Sequence, residues 1–432
     1  MPKLALFGGE KAVTLPQPIW PRLSEEDAEA GKQAIEAAKS DPSYLCAAGG
    51  GGVMEEFERH FLEYQGAEYG FALGGGGQAL HVACMVVAEP GDEIICSPYS
   101  WGQTAAAILE ANAIPVYADI DPDTLTLDPA KIEEKITDRT RAIMVVHIYG
   151  NPADMPAIME IAERHGLYVI EDCAQANGAT INGQHVGTFG HFGCYSWGSG
   201  KNMSAGEGGF LVTKTRDLYL QAAMCGLHPG RHGKMVAGTE YEKYVDSLIY
   251  TYRPYPIACA IADSQLKRLD QMNAWRRANA DYFSEALAEI PGIKPPVVRE
   301  GCTHVYHMYC ATYVAEELGG LPRQKFIEAL RAEGVSAGVY VGTPIHLRPR
   351  HQEHKFFFGK GCPWDCPFAS RRYEYKRGDC PVAERRAEVD LVLGAFGAMV
   401  EDYRPLVDQY ITAVRKVVEH ADELLEAVAR GA

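Results

Sequence analysis

The chain has 432 residues, 47% of them hydrophobic and 23% charged, with a formal net charge of −16 at pH 7. That is enough apolar side chain for about two or three domains of ordinary globular composition. No cluster of Lys and Arg breaks the acidic balance, so nucleic acid is not an expected partner, and with no secretory segment or membrane-length apolar run a soluble cytoplasmic protein is expected.

In chain order, the segment VMEEFERHFLEY places Met54, Phe57, Phe61 and Leu62 on one helical face. Short apolar strands then alternate with helical patterns. Strands are expected at 69–73, 93–96, 115–118, 142–147, 167–171, 193–197 and 209–213, with helices at 78–87, 104–111 and 156–165. This alternation predicts an α/β fold with a mainly parallel, doubly wound sheet. Ligands of such sheets sit beyond the carboxyl ends of the strands. A helical stretch near 257–287 follows, and then a change of character at 304–311, 323–333 and 335–341. A large domain over 1–265, with an N-terminal arm, and a smaller C-terminal α+β domain over 266–432 are expected. Residues 404–430 read as one closing amphipathic helix. The 12 cysteines are scattered, several in apolar strings such as HVACMVV and EIICSP, as free buried thiols of a reducing compartment would be.

Four segments carry chemistry. In EDCAQANGA, Asp172 ends an apolar strand, where a carboxylate would face the ligand crevice and could keep a pyridinium nitrogen protonated. In YSWGSGKNMSAGEGG, Lys201 lies in a loop of Gly and Ser that leaves room for a flat cofactor, and the preceding Ser196 could donate to a phosphate. The run GGGGQALHVACMV follows a strand and opens a helix, as a backbone phosphate cradle does. In CSPYSWGQT, Trp101 lies just past a strand end, where an aromatic can stack on a planar ring. Each alone has a plain structural explanation: a loop-capping Asp, a solvated Lys, a tight turn, a core Trp. Their order, with each beyond a strand end, is what points to one site.

These motifs make the sequence resemble the fold-type I pyridoxal-phosphate (PLP) enzymes, specifically the sugar and cyclitol aminotransferase family of DegT/StrS type. The resemblance runs from LALFGGEKAV and Trp20-Pro21 through VVHIYGNPADM, EDCAQANGA, VGTFGHFGCYSW and GKNMSAGEGG, with weaker echoes in HLRPRH and CPVAE. It implies that Lys201 forms the Schiff base and shuttles the proton, Asp172 pairs with the ring nitrogen and Gln175 contacts the ring hydroxyl. It further implies that Trp101 stacks on the ring and that Gly76, Gly77 and Ser196 hold the phosphate. The family is typically a homodimer with shared active sites, and YTYRPYP around Arg253 matches the stretch that reaches across. Two departures stand out: Gly77 replaces the usual Thr of the cradle, and Thr251 stands where Asn is usual, so Thr251 or a backbone group is expected to take over that cofactor contact. The keto-inositol aminotransferases and aminohydroxybenzoate synthase share the ALFGG opening and the late CP segment. The implied reaction moves an amino group from glutamine or glutamate to a ring ketone of a sugar or cyclitol in secondary metabolism. A PLP lyase, dehydratase or cyclising enzyme, or a non-catalytic sensor of the same fold, are the alternatives, and the Lys201 and Asp172 pair weighs against the last.

Three further residues are expected near substrate: His147 in VVHIYG, Arg231 in HPGRH and His346 in TPIHLRP. His351, His354, Cys362 and Cys366 fit no common zinc spacing, so no metal is expected. Phe356, Phe357 and Phe358 suggest a packed insertion there.

Overall fold

The structure, a computed structural model, describes residues 2–246, 250–356, 359 and 361–430. Five strands open the first layer: β1 (Tyr69–Leu73), β2 (Glu93–Cys96), β3 (Ile114–Tyr117), β4 (Thr140–Val146) and β5 (Tyr168–Asp172). After the short β6 (Thr180–Ile181) and β7 (Gln184–His185), β8 (Phe192–Ser196) and β9 (Gly209–Thr213) complete a seven-stranded sheet in the order β1-β9-β8-β5-β4-β2-β3. Within this sheet β9 alone runs against the others, pairing antiparallel with β1 and β8. The expected mainly parallel sheet is therefore present.

The central strands read as unbroken apolar runs because both faces are covered. Side chains alternate across the sheet. Ile95, Ile143, Val145 and Val169 enter the core on one face, and Ile94, Cys96, Met144 and Ile170 enter the other. Local signals end the helices between them. The helix Met155–His165 starts on Asp154, whose carboxylate accepts the Ala157 amide at 3.3 Å, carries Pro156 in its first turn, and stops at left-handed Gly166.

A second layer holds β10 (Ile293–Lys294), β12 (Cys310–Tyr313), β13 (Ala337–Gly338) and β14 (Asp390–Leu393), an antiparallel sheet in the order β10-β12-β14-β13, while β11 (Cys302–Thr303) pairs with β6. Its core gathers Phe283, Tyr309, Phe396 and Tyr410. The ends of the chain do not follow the expected division at residue 265. Leu4 and Val13 belong to the second core, where the Ala5 and Ala12 amides donate to the Glu333 carboxylate at 2.7 and 3.0 Å. Conversely, Trp364 and Tyr373 belong to a core of the first layer. The physical reason is the free edge of β3, which needs covering. A strap around residues 364–375 supplies it: Tyr375 Oη donates to the Pro115 carbonyl at 2.7 Å, and Tyr373 Oη to Glu93 at 2.7 Å.

Other expectations need correction. The helical stretch after residue 256 is two helices, Pro256–Leu266 and Leu269–Leu287, and the closing segment is also two, Arg404–Glu419 and Ala421–Ala429. Cys362 and Cys366 are joined in a disulfide, so these two are not free thiols; the remaining cysteines are. His354 stacks on Trp364 instead of standing with them. Phe356 packs against the first layer, and Phe357 and Phe358 lie outside the described residues. Among the described residues no helix is long and apolar enough to cross a membrane.

Candidate active site

The carboxyl ends of β5 and β8 and the amino end of the helix Gly76–Val87 enclose a cavity of about 150 Å³. Gly76, Gly77, Trp101, Asp172, Gln175, Ser196 and Lys201 all line it, together with Ser100, Gln103 and Thr104. Seven residues spread over 126 positions of sequence are thus brought to one place. A larger cavity of about 360 Å³ lies under the strap at β3, lined by Tyr117, His346 and Tyr375, but neither Lys201 nor Asp172 reaches it.

Asp172 is the last residue of β5. One carboxylate oxygen accepts the Thr104 hydroxyl at 2.9 Å and the other the Ala174 amide at 3.2 Å. Burial raises its pKa above the ordinary carboxylate value, against those two donors and the charge of Lys201. Lys201 is held by its backbone, since its amide donates to the Gly198 carbonyl at 2.9 Å and its carbonyl accepts the Trp20 indole at 2.8 Å. Burial lowers its pKa below the usual lysine value, and the negative charge of Asp172 partly restores it. Desolvation thus dominates both groups and pushes them toward their neutral forms.

Gln175 is oriented at both ends. Its oxygen accepts the Tyr149 amide at 2.7 Å and its nitrogen donates to Tyr340 Oη at 3.0 Å. Trp101 is 63% exposed, on the open side of the cavity, with its ring stacked at 25° against Tyr340. On the opposite side the helix Gly76–Val87 starts after Gly75 with no side-chain cap, so its first-turn amides have no partner in the helix. A Cβ on Gly76 would lie 2.7 Å from Ser196 Cβ, so only glycine leaves this approach open. These features fit PLP: unpaired amides and a hydroxyl for a phosphate, a buried carboxylate for a ring nitrogen, and a lysine inclined to lose its proton.

The residues expected to meet substrate lie elsewhere. His147 is fully buried, its Nδ1 accepting the Ala153 amide at 3.0 Å and its Nε2 donating to Glu171 at 3.1 Å. Glu171 in turn accepts the amides of Gly187, Phe189 and Gly190, so although His147, Glu171 and Cys173 stand together, the carboxylate is already consumed by the fold. Arg231 makes a buried two-pronged pair with Glu58, at 3.0 and 2.5 Å. His346 is fully buried and donates to Glu384 at 3.0 Å. Thr251 lies outside the cavity, exposed, with φ of +46°, a conformation that strains a β-branched residue. Sequence reasoning missed Thr104, Gln103 and Tyr340. Thr104 and Gln103 carried a signal in their place directly after Trp101, whereas Tyr340 comes from the second layer and carried none.

The chain is similar to known proteins over most of its length. The model of the DegT/DnrJ/EryC1/StrS aminotransferase family matches residues 26–363. The chain is 35% identical over 398 residues, 89% of its length and 90% of the relative's, to a putative L-glutamine:3-amino-2,3-dideoxy-scyllo-inosose aminotransferase of Micromonospora echinospora. It is 32% identical to the L-glutamine:2-deoxy-scyllo-inosose aminotransferase of Streptoalloteichus tenebrarius, over 98% of this chain and 99% of that one. Among solved structures, DesV of S. venezuelae in complex with a ketimine intermediate superposes with a TM-score of 0.76 at 29% identity, covering 93% of this chain and 99% of that one.

Proposed function

The chain belongs to the DegT/DnrJ/EryC1/StrS aminotransferase family, and we propose that it moves the amino group of glutamine or glutamate to a ring ketone of a cyclitol or sugar in secondary metabolism. It is a PLP-dependent aminotransferase. The observation that carries the reading is the meeting of Lys201 and Asp172 in one cavity walled by Gly76, Trp101 and Ser196. Bound PLP supplies an electron sink for charge that develops on the carbon bearing the amino group. Lys201 would hold the cofactor through its amine. Released when the donor's amine displaces it, and inclined by burial to be neutral, that amine would take the proton from the donor's α-carbon and return one to the acceptor. Asp172, steadied by Thr104 and the Ala174 amide, would hold the ring nitrogen's proton in place. Gln175 would contact the ring hydroxyl, and Trp101 would stack on the ring and limit water. Gly76, Gly77 and Ser196 would hold the phosphate.

An amino-acid donor is supported by Arg348. Its Nη2 donates to the Ser100 carbonyl at 3.3 Å and its Nε to the Thr343 carbonyl at 3.1 Å, beside the cavity wall. Its guanidinium is half-buried and, among the described residues, has no carboxylate partner, which leaves it free to meet the carboxylate of a donor. A homodimer with shared sites is supported by exposed apolar residues on the N-terminal arm and the following helix, Ile19, Leu23 and Ile35, together with Tyr255 and Ile257 next to exposed Thr251 and Arg253.

The test is a donor screen on the PLP-loaded protein. Glutamine or glutamate should bleach the cofactor's visible absorbance, and a keto-cyclitol such as scyllo-inosose should restore it. Restoration by no cyclic ketone refutes the acceptor class, and colour that no amino acid bleaches refutes amino transfer.

A further inference from the structure

We propose that Gln103 is a ligand of the cofactor phosphate, its side-chain amide supplying the hydrogen bond that the side chain of residue 77 does not. The assignment rests on the reading of Gly76, Gly77 and Ser196 as the phosphate cradle.

Gly77 is the second residue of the helix Gly76–Val87, and its φ is not in the left-handed region, so its backbone does not demand glycine. Glycine at such a position weakens a helix relative to residues with a side chain, and its presence therefore calls for a steric cause. The cause is Gln103. A Cβ at position 77 would lie 2.9 Å from Gln103 Cγ, 3.0 Å from Cδ and 3.1 Å from Nε2. The space that a side chain at 77 would occupy is already taken by the glutamine, and the two residues form one steric unit. Either a side chain grows from position 77, or the amide of residue 103 reaches in from the neighbouring element.

Gln103 is the first residue of the helix Gln103–Glu110, two positions after Trp101, and it lines the same cavity as Gly77 and Ser196. Among the described residues its Nε2 has a single weak contact, 3.5 Å from Glu110 Oε2, which employs one of its two hydrogens. The other is available beside amides of the helix start that have no partner in the helix. Gly76 lies against Ser196 and Gly77 against Gln103, and all four line the same cavity, so an anion held there could draw on helix-start amides, a hydroxyl and a carboxamide.

The test compares PLP with pyridoxal, which has the same ring and aldehyde without the phosphate, as ligands of the apoprotein by equilibrium titration. Gln103→Met keeps the length and fills the space but has no donor. It should weaken PLP about 10- to 100-fold, the range for a hydrogen bond to a charged group, and leave pyridoxal unchanged. Gly77→Thr alone should also weaken PLP, because its Cβ displaces the glutamine. The double variant Gly77→Thr with Gln103→Ala removes the obstruction, adds a hydroxyl in its place, and should recover most of the lost affinity. Equal weakening of PLP and pyridoxal in Gln103→Met would mean a structural role and overturn the assignment, as would an unchanged PLP affinity. A wild-type protein that binds pyridoxal as tightly as PLP would remove the cradle itself, and this assignment with it. Wild-type preference for PLP that Gln103→Met retains in full would remove only the role of Gln103.

Discussion

The floor of the cavity and its rim are built differently. The floor, Asp172 at the end of β5 and Ser196 at the end of β8, is fixed by paired strands buried on both faces. The rim, with Trp101, Tyr340 and Arg348, is assembled from loop residues of both layers and is half open to solvent. A rigid floor suits a permanent cofactor whose atoms must be met by fixed groups. An open rim suits two successive substrates that enter and leave by the same mouth.

That contrast orders the expected effects of mutation. The largest belongs to Lys201, which stands over the floor in the loop after β8. Lys201→Met should slow amino transfer by about 10²- to 10⁴-fold if the lysine moves the proton, and the loss would show as failure of glutamine to bleach bound PLP in a stopped-flow trace. A residual rate within tenfold of wild type would place the proton transfer elsewhere.

Next comes the rim. Arg348→Met should raise the KM for the amino donor about 10- to 100-fold, while the half-reaction with an uncharged ring ketone keeps its constants. If both half-reactions weaken together, Arg348 serves the architecture and the rim loses its separate role.

Arg231 sharpens the comparison from outside the cavity. Arg231→Met leaves the Glu58 carboxylate buried without its partner and should destabilise the protein by about 3–5 kcal/mol in denaturant unfolding. The donor and acceptor KM of the folded fraction should stay as they are. A KM change without a stability change would return Arg231 to the substrate.

The smallest effect is one of pH. The pKa of Asp172 is raised in the folded protein by burial. A carboxylate of this kind contributes most to stability below its unfolded value and loses that contribution as pH rises through its folded value. Ionised Asp172 therefore burdens the apoprotein at neutral pH. Asp172→Asn should raise the melting temperature of the apoprotein at pH 7, with the gain shrinking as pH falls toward the carboxylate range, although it removes activity. A lower melting temperature at pH 7 would mean that the charge of Lys201 outweighs desolvation.

What was legible in the sequence follows the same line. Asp172, Gln175, Ser196 and Lys201 lie in two short segments whose glycines and strand ends state their setting locally, and the strand-end rule places them beside Gly76 and Trp101. His147, Arg231 and His346 were misplaced because their fate depends on distant carboxylates. Glu171 is 24 residues from His147, Glu58 is 173 from Arg231, and Glu384 is 38 from His346. A histidine or arginine in a polar loop reads the same whether it meets substrate or an internal acid. The strap was illegible for a related reason: Trp364, Tyr373 and Tyr375 cover an edge strand that lies some 250 residues earlier, as the 260-residue separation of Tyr375 from Pro115 illustrates. Tyr340 reaches Gln175 across 165 residues and from the other layer.

The most direct measurement is borohydride reduction of the PLP-loaded protein followed by peptide mapping. The label should be found on Lys201, within the peptide that continues into NMSAGEGG, and Lys201→Met should take none. A stable label on any other lysine, or none on wild-type protein that is visibly yellow, would contradict the assignment of this cavity.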